Sequence, residues 1–520
     1  MAHRKRSVRE NDPANFDIDM NGGALRQNLP RRCKNNQPFY GIDNFLDDEE
    51  IDKFSKRIKK GLGSSSYRGP SDDITLRQKD AEESKNLTVL SWLIDMKVVK
   101  EDTAVGCFRG AHRKMLTQGR IRRDGIFCYC CSKKIPAFEF PSHIRNYLGD
   151  EPYENVFVEG MNVSLLNCQI EAWNRHSVPA RNGYYHVVKR PRVRDHHDDS
   201  CLICADGGDL MCCDTCPSTY HPRCLGFEGV PRDEWHCPYC RCRYCDRDSS
   251  TELLLTCVQC LKKYHWQCSE RYDSIPSSLQ SSSIPFCGKS CWQVYRNLEG
   301  IVGRTMAIMP GVLSWVLVRR MDVDVAGHHT DELHRRVTCN SMVALAAKLM
   351  EDCFKVIVDR QTRTNMIQSV VYSCGSNFTR TNFSRFYTAV LQLGGNIVTV
   401  ASVRTPSPDV AEIPFIATAE NWRNSGLCKL LLLALESALA EMGVERILIP
   451  SAENMVKNWQ EKFGFGPLDQ AMKRRITTLN TLTFPMTTRL QKIIRPRRRM
   501  IVDDLNLPPP EAADFCHDAF

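Results

Sequence analysis

The chain has 520 residues and a formal net charge of +9, from 70 Lys and Arg against 61 Asp and Glu. This length predicts about two to four domains, with enough apolar residues to bury their cores. No stretch approaches the roughly 18 consecutive apolar residues of a membrane helix. The first residues, MAHRKRSVRENDPANFD, lack the apolar region of a signal peptide. We therefore expect no membrane association and a reducing compartment, in which cysteines bind metal rather than form disulfides.

The N-terminal part divides into a polar segment, a small domain and a linker. Residues 1–85 are polar, and we expect them to be disordered. Residues 86–176 form a small mixed domain that starts with the helical pattern LTVLSWLIDMKVV, and a basic linker follows at residues 177–200. Basic clusters start at His3 (HRKR), Lys189 (KRPRVR) and Arg495 (RPRRR). They indicate nuclear import or contact with a polyanion, although each is also compatible with solvated linker charge.

Cysteine is concentrated in one block, because 15 of the 26 cysteines lie between Cys201 and Cys291. The first half of this block, residues 201–241, resembles a PHD finger, and Trp235 stands where that family has its core tryptophan. Eight Cys and His ligands are enough for two closed tetrahedral zinc sites. The resemblance implies a cross-brace in which the first and third ligand pairs hold one ion and the second and fourth pairs hold the other. In chain order the ligands are Cys201, Cys204, Cys213, Cys216, His221, Cys224, Cys237 and Cys240.

The second half, residues 242–296, repeats this ligand order with a long loop and a closing CxxxC pair in place of CxxC. We interpret it as an atypical second PHD-like finger, which brings the expected number of zinc ions to four. Its predicted ligands are Cys242, Cys245, Cys257, Cys260, His265, Cys268, Cys287 and Cys291.

The segment DGGDLM lies ahead of Cys213 and carries Asp206 and Asp209. It resembles the acidic type of PHD finger that binds the unmodified histone H3 tail, where a carboxylate accepts hydrogen bonds that a methylated ammonium would lose. The alternative is that both acids only solvate a glycine turn. The sequence thus predicts histone H3 and chromatin as partners.

Residues 301–485 alternate strand-like and helix-like runs. The segment FYTAVLQLGGNIVTVASVRT predicts two strands around a Gly-Gly-Asn turn, AEIPFIATA a third strand, and residues 425–442 a helix. This order, with the motif Arg423-x-x-Gly426-x-Cys428, resembles the GNAT acyl-CoA N-acyltransferases. A helix N-terminus offers backbone N–H groups to the CoA pyrophosphate, and Gly426 permits close approach. The residues predicted to bind acetyl-CoA are Phe415, Ile416, Ala417, Arg423, Asn424, Ser425, Gly426, Leu427 and Cys428.

Glu412 lies in the tripeptide AEI, eleven residues before Arg423. In GNAT histone acetyltransferases of the Gcn-five type the catalytic glutamate has this setting, so the resemblance assigns Glu412 as the general base that deprotonates a lysine. Cys428, Asn424 and Ser425 depart from the family's loop, and Gln460 stands where many members have a tyrosine acid. The alternative is therefore a retained fold without turnover.

From about residue 87 to residue 485 the chain resembles the plant nuclear "increased DNA methylation" class of PHD-finger acetyltransferases. In that family the upstream region binds Tify domains, so residues 86–176 are expected to contact transcription factors. Cys128, Cys131 and His143 are three candidate metal ligands there, with buried thiols as the alternative interpretation. Residues 486–520 form a basic tail with the motif DLNLPP, similar to the plant EAR repression motif that docks in Topless-type corepressors. Its residues are Asp504, Leu505, Asn506, Leu507 and Pro509.

The predicted fold class is multidomain α+β, with a small mixed N-terminal domain, tandem zinc-stabilised PHD-type fingers, a C-terminal GNAT α/β fold and disordered termini. The predicted function is that of a nuclear chromatin regulator that acetylates lysines of histone H3 with acetyl-CoA. The alternative is a catalytically weak or inactive reader that recruits Topless-type corepressors.

Overall fold

The computed structural model describes residues 86–109, 114–143, 152–188, 195–248, 252–273, 284–309, 312–323 and 330–494. The predictions for the polar N-terminal segment, for the basic clusters and for the DLNLPP motif fall outside these residues. Within the described ranges, no helix has both the length and the apolarity of a membrane span.

The N-terminal domain is an antiparallel sheet covered by two helices. The helices are α1 (Val89–Asp95) and α2 (Leu165–Asn174). The strands are β1 (Ala104–Arg109), β2 (Lys114–Arg122), β3 (Gly125–Cys128), β4 (Lys134–Ile135), β5 (Val156–Val158) and β6 (Val163–Ser164), in the order β4-β3-β2-β1-β5-β6. Helix α1 begins at a capping box in which Thr88 and Ser91 each accept a hydrogen bond from the other's backbone N–H. The predicted small mixed domain is thus present as a half-covered sheet.

The segment after this domain does not behave as a free linker. Residues 178–182 form a short helix, α3 (Val178–Asn182), and strand β7 (Tyr184–Tyr185) pairs in parallel with β14 (Gly375–Ser376). The predicted linker at residues 177–200 is therefore wrong for its first part, because this strand pairing and the buried side chain of Ala180 attach it to the C-terminal domain.

The cysteine block forms two small hairpins. Strands β8 (Met211–Cys212) and β9 (Thr219–Tyr220) belong to the first finger, and β10 (Leu255–Thr256) and β11 (Lys263–Tyr264) belong to the second. The second finger also contains α4 (Trp266–Tyr272) and the start of α5 (Lys289–Ile301). Helix α5 carries Cys291 at the finger and buries Leu298 in the core of the C-terminal domain, so one helix joins the two units.

The C-terminal domain is a nine-stranded sheet with helices packed against it. Its strands are β12 (Thr305–Met309), β13 (Leu313–Val318), β15 (Tyr387–Leu393), β16 (Asn396–Ser407), β17 (Val410–Glu412), β18 (Ile416–Thr418), β19 (Arg446–Ala452), β20 (Gly466–Pro467) and β21 (Thr487–Ile493). Its helices are α6 (Thr330–Cys353), α7 (Met366–Val371), α8 (Leu427–Glu441), α9 (Val456–Phe463) and α10 (Gln470–Arg475). The strand order is β12-β13-β15-β16-β17-β19-β21-β20, and β18 pairs with β16 beside that path. All pairs are antiparallel except β17 with β19.

The predicted order of elements is present, with one correction inside the domain and one at its C-terminal boundary. The predicted helix at residues 425–442 is α8, and the hairpin around Gly394 and Gly395 is β15–β16. The segment AEIPFIATA, predicted as one strand, is instead two strands that break around Pro414. Proline has no N–H to donate to a sheet, so the ladder is interrupted there.

The predicted boundary of this domain at residue 485 is too early. Strand β21 pairs along its whole length with β19, from Ala452 opposite Thr487 to Arg446 opposite Ile493. Because β21 lies between β19 and β20 in the sheet, it belongs to the domain, which continues to the end of the described residues.

The N-terminal and C-terminal domains share one hydrophobic core. Helix α2 lies against helix α6, and the buried hydroxyl of Ser341 donates to Gln169 Oε1 over 2.8 Å. Because a buried amide without a partner costs free energy, this bond helps to align the two helices. The two domains therefore form one packed unit.

Candidate functional site

The predicted zinc ligands of both fingers gather into four groups of four. In each group the ligand atoms all lie within 4.8 Å of one another. The first finger pairs its ligands as the cross-brace implies, and the second finger repeats that arrangement. The groups are Cys201, Cys204, His221, Cys224; Cys213, Cys216, Cys237, Cys240; Cys242, Cys245, His265, Cys268; and Cys257, Cys260, Cys287, Cys291.

The distances within these groups suit zinc. Zinc–sulfur bonds of about 2.3 Å in a tetrahedron place sulfur atoms about 3.8 Å apart. Cys216 and Cys237 have their sulfurs 3.6 Å apart, and the corresponding distance between Cys260 and Cys287 is 3.7 Å. His221 is oriented for binding, because its Nε2 lies 2.9 Å from the Gly207 carbonyl oxygen while Nδ1 faces the cysteines.

Arg243 is a residue of the second finger that sequence reasoning missed. Its Nη1 lies 2.8 Å from the sulfur of Cys287 and within 3.8 Å of the sulfurs of Cys260 and Cys291. Four thiolates around one zinc ion leave a net charge of −2, and a guanidinium next to them offsets part of it. The only signal in the sequence is the position of this arginine next to Cys242.

The acids predicted to bind the histone tail, Asp206 and Asp209, are both exposed on the loop before β8. Among the strands that the structure describes, β8 pairs with β9 alone. An open strand edge beside exposed carboxylates is a site at which an extended basic peptide can add as a further strand.

The predicted CoA loop has the backbone of an anion cradle. Asn424 and Gly426 have φ angles of +63° and +88°, and helix α8 begins at the next residue, Leu427. The side chain of Arg423 turns away, towards the Thr418 carbonyl and the sulfur of Cys353. The Ser425 hydroxyl donates to the Trp422 carbonyl. The loop can therefore contact phosphate mainly through backbone N–H groups at the helix N-terminus.

Cys428, which departs from the family's loop, lies in the first turn of α8 and is partly buried. Burial raises the pKa of its thiol to about 12, so the side chain is neutral near pH 7. A neutral thiol adds no charge repulsion against a pyrophosphate.

The break at Pro414 opens a gap in the sheet. Before it, β17 pairs with β16 and β19; after it, β18 pairs only with β16 among the described strands. Phe415, one of the predicted CoA residues, is buried between the rings of Phe354 and Phe484, at centroid distances of 5.5 and 5.7 Å. Ile416 and Ala417 form the start of β18, next to the gap.

Glu412 is buried at the end of β17, with only 1% of its surface exposed. Its Oε1 accepts from Arg404 Nε over 2.7 Å, and its Oε2 accepts from the Leu482 N–H over 2.7 Å. Arg404 is itself 3% exposed, donates to the carbonyls of Asn382 and Asn480, and lies over the Phe386 ring. Both carboxylate oxygens are thus engaged inside the protein.

Known protein families match three parts of the chain. Residues 119–172 match the Tify domain binding domain, residues 201–240 match the PHD-finger, and residues 354–493 match the C-terminal domain of Increased DNA methylation 1. These matches and the zinc-type clusters define a PHD-finger protein whose upstream domain matches the Tify domain binding family. The predicted fold class is confirmed for the described residues.

The Increased DNA methylation 1 protein of Arabidopsis thaliana is 34% identical over 415 residues, which cover 78% of this chain and 34% of that protein. The chain is a relative of that protein, as the resemblance predicted, and spans about a third of its length. The nucleosome-remodeling factor subunit NURF301 of Drosophila melanogaster is 46% identical over 48 residues, covering 9% of this chain and 2% of that protein.

Among solved structures, Tetrahymena GCN5 covers 34% of this chain and 96% of its own, with 13% identity and a TM-score of 0.26. N-acetylglutamate synthase from Neisseria gonorrhoeae, complexed with coenzyme A and L-arginine, covers 36% of this chain and 34% of its own. Its identity is 14% and its TM-score is 0.22.

Proposed function

We propose that this chain is a nuclear chromatin regulator that binds the histone H3 tail through its first finger, and that Glu412 of its acyltransferase-like domain is structural rather than catalytic. The observation that carries the second part is the closed environment of Glu412. We therefore favour a protein that reads histone tails and recruits corepressors over a histone acetyltransferase.

A general base must come within about 3 Å of the proton that it removes. Glu412 is buried, and both of its carboxylate oxygens are bonded inside the protein, Oε1 to Arg404 and Oε2 to the Leu482 N–H. A substrate amine could therefore reach either oxygen only if one of these bonds opened.

Acetyl transfer from acetyl-CoA to a histone lysine is the second candidate function. It is favoured by the gap after Pro414 together with the left-handed backbone at Asn424 and Gly426. In this case the segment around Leu482 would move away to expose Glu412.

Incubation of the full chain with labelled acetyl-CoA and H3 peptides separates these candidates. If Glu412 is structural, wild type and Glu412→Gln transfer equally little label while the wild type still binds CoA in calorimetry. If the wild type transfers label and a folded Glu412→Gln does not, with equal CoA affinity in both, the acetyltransferase is correct. Gly426 has a φ of +88°, which a branched residue tolerates poorly. The variant Gly426→Val should therefore abolish CoA binding in either case.

Histone reading has its own test. Binding of H3 tail peptides, unmodified or trimethylated at the fourth residue, should be weakened by methylation and by the double variant Asp206→Asn/Asp209→Asn. Asp233→Asn is the matched control, since Asp233 is an exposed acid of the same finger. If both peptides bind equally, or if the control variant loses as much affinity, the proposal that Asp206 and Asp209 recognise the unmethylated tail is wrong.

The partner proposals for the remaining regions rest on sequence. Residues 86–176 are proposed to bind transcription factors, and Leu505 and Leu507 of the DLNLPP motif to anchor in a groove of a Topless-type corepressor. Replacement of both leucines by alanine should abolish co-purification of the corepressor and leave H3 binding unchanged.

A further inference from the structure

The N-terminal domain contains a cysteine–histidine cluster outside both fingers. Cys128 ends strand β3, Cys130 and Cys131 lie in the following turn, and His143 comes from the far end of the segment 136–143. The sulfurs of Cys128 and Cys130 are 3.2 Å apart, and each is 3.2 Å from His143 Nε2. With Cys131, the four ligand atoms all lie within 4.8 Å of one another.

The turn that carries these cysteines has the backbone of the finger turns. The N–H of Cys128 donates to the Lys133 carbonyl over 2.9 Å, and Ser132, the residue after the CxxC pair, has a φ of +52°. The same bond and the same left-handed residue occur three times in the fingers. They join Cys201 to Asp206 (2.8 Å) with Ala205 at +61°, Cys242 to Arg247 (2.7 Å) with Asp246 at +58°, and Cys257 to Lys262 (2.9 Å) with Leu261 at +60°.

The orientation of His143 is also that of a ligand. Its Nδ1 bonds to the Phe140 carbonyl, which places the proton there and leaves the Nε2 lone pair directed at the cysteines. The Phe140 side chain is fully buried and lies against the imidazole at a centroid distance of 5.6 Å, so the ring is held in place.

We propose that Cys128, Cys130, Cys131 and His143 bind a zinc ion in addition to those of the two fingers. Three thiols and one imidazole are a ligand set that selects zinc among the common divalent ions. Zinc displaces the thiol protons, and the resulting thiolates with neutral imidazole complete four-coordination without a water. The sequence indicates three of these ligands, Cys128, Cys131 and His143, and the structure adds Cys130.

The site fixes a segment that reaches the C-terminal domain. Strand β4 forms the edge of the N-terminal sheet, and the chain then runs from Pro136 to His143. Phe138 on this stretch covers Gly395 in the turn between β15 and β16, where an added Cβ would come within 2.8 Å of the Phe138 ring. A zinc ion that binds His143 to the β3 turn would hold this contact in place.

Native mass spectrometry of the full chain tests the proposal by counting zinc. We expect five ions per wild-type chain, one for each of the four finger groups and one for this cluster, and four ions in Cys131→Ser and in His143→Ala. Ser142→Ala is the matched control, an exposed neighbour of His143 that should keep five ions. Equal zinc counts in the wild type and in both ligand variants would overturn the proposal, whatever the occupancy of the fingers.

A second measurement needs no variant. Cys130 and Cys131 are exposed to solvent, so free thiols at these positions would react quickly with N-ethylmaleimide. We expect both to be protected in the zinc-loaded wild type and to react at least tenfold faster after chelation. Rapid modification of either cysteine while zinc is bound would contradict the proposal even if the variants do not fold.

Discussion

At the scale of single residues, Glu412 shows how a buried strand carries a charge. Arg404 and Glu412 are register partners across β16 and β17, and each satisfies the other inside the core. The sequence contains a signal for this pair, an arginine in one strand-like run and a glutamate in the next. It does not reveal that they are register partners, because the pairing of β16 with β17 shifts register between Arg404 and Ser407.

Glu412→Gln should lower the free energy of unfolding by about 3–5 kcal/mol, because it leaves the Arg404 guanidinium buried without a counter-charge. The double variant Arg404→Met/Glu412→Leu should regain much of that loss, since it removes both charges. Urea unfolding of the full chain measures these differences, and Glu441→Gln, an exposed acid at the end of α8, should stay within about 0.5 kcal/mol of wild type. A Glu412→Gln protein as stable as wild type would show that the pair does not stabilise the fold.

Cys428 should react slowly with alkylating reagents because burial raises the pKa of its thiol to about 12. At pH 8 only roughly 0.01% is thiolate, about 1000-fold less than in an unfolded peptide of the same sequence. Because a thiolate of higher pKa is a stronger nucleophile, alkylation should be about 100-fold slower than in that peptide. Because the pKa of the thiol lies well above the pH of the experiment, the alkylation rate should rise about tenfold per pH unit for as long as the chain stays folded. Mass spectrometry of the Cys428 peptide measures it, and a rate that levels off by pH 9 would contradict the burial.

At the scale of elements, local patterns predicted most helices and strands but misplaced two boundaries. The helix α8 and the hairpin β15–β16 have strong periodicity and turn residues. The strand β21 falls in the predicted basic tail, residues 486–520; its sequence, TTRLQKI, lies next to an arginine cluster. Its place between β19 and β20 depends on pairing partners from 23 residues (Pro467 and Leu490) to 47 residues (Arg446 and Ile493) away, which local propensity does not encode.

A chain that ends at Pro485 should therefore fail to fold its C-terminal domain, whereas a chain that ends at Ile494 should fold. Removal of β21 leaves the edge of β19 unpaired and takes buried Leu490 out of the core, so its register partner Ile449 loses cover. Circular dichroism and size-exclusion chromatography compare the two chains. Equal thermal transitions in both would mean that β21 contributes little to the sheet.

At the scale of the whole molecule, the fingers are docked on the C-terminal domain. Asp198 precedes the first finger and is joined to it by a hydrogen bond from its N–H to the Pro217 carbonyl. Arg380 donates to Asp198 over 2.7 Å and to Asp359 over 2.5 Å, and all three side chains are buried. Burial raises the pKa of Asp198 despite this arginine, whereas for Asp359 the same burial is outweighed by Arg380, which lowers its pKa. Gln259 of the second finger also donates to Thr405 of β16. These contacts fix the orientation of the fingers relative to the C-terminal domain.

Replacement of Arg380 by methionine should loosen the first finger from the C-terminal domain, because two buried carboxylates lose their shared cation. Hydrogen–deuterium exchange should increase at residues 195–205 and around Asp359, by tenfold or more, while zinc content stays unchanged. Arg360→Met is the matched control, an exposed arginine next to Asp359. Unchanged exchange in the Arg380 variant would show that other contacts alone hold the finger.

The Cys and His residues that the structure groups in both fingers can be named from the sequence alone, because zinc requires a fixed number of such ligands and their spacing along the chain is local. Periodicity and turn residues also predict the hairpin β15–β16 and the helix α8. Folding brings Glu412 to Arg404, adds β21 to the sheet and places Cys130 beside His143, and none of these contacts is visible in the sequence. Each of these depends on which surfaces meet after folding, and packing across long sequence separations, rather than any local pattern, selects those contacts.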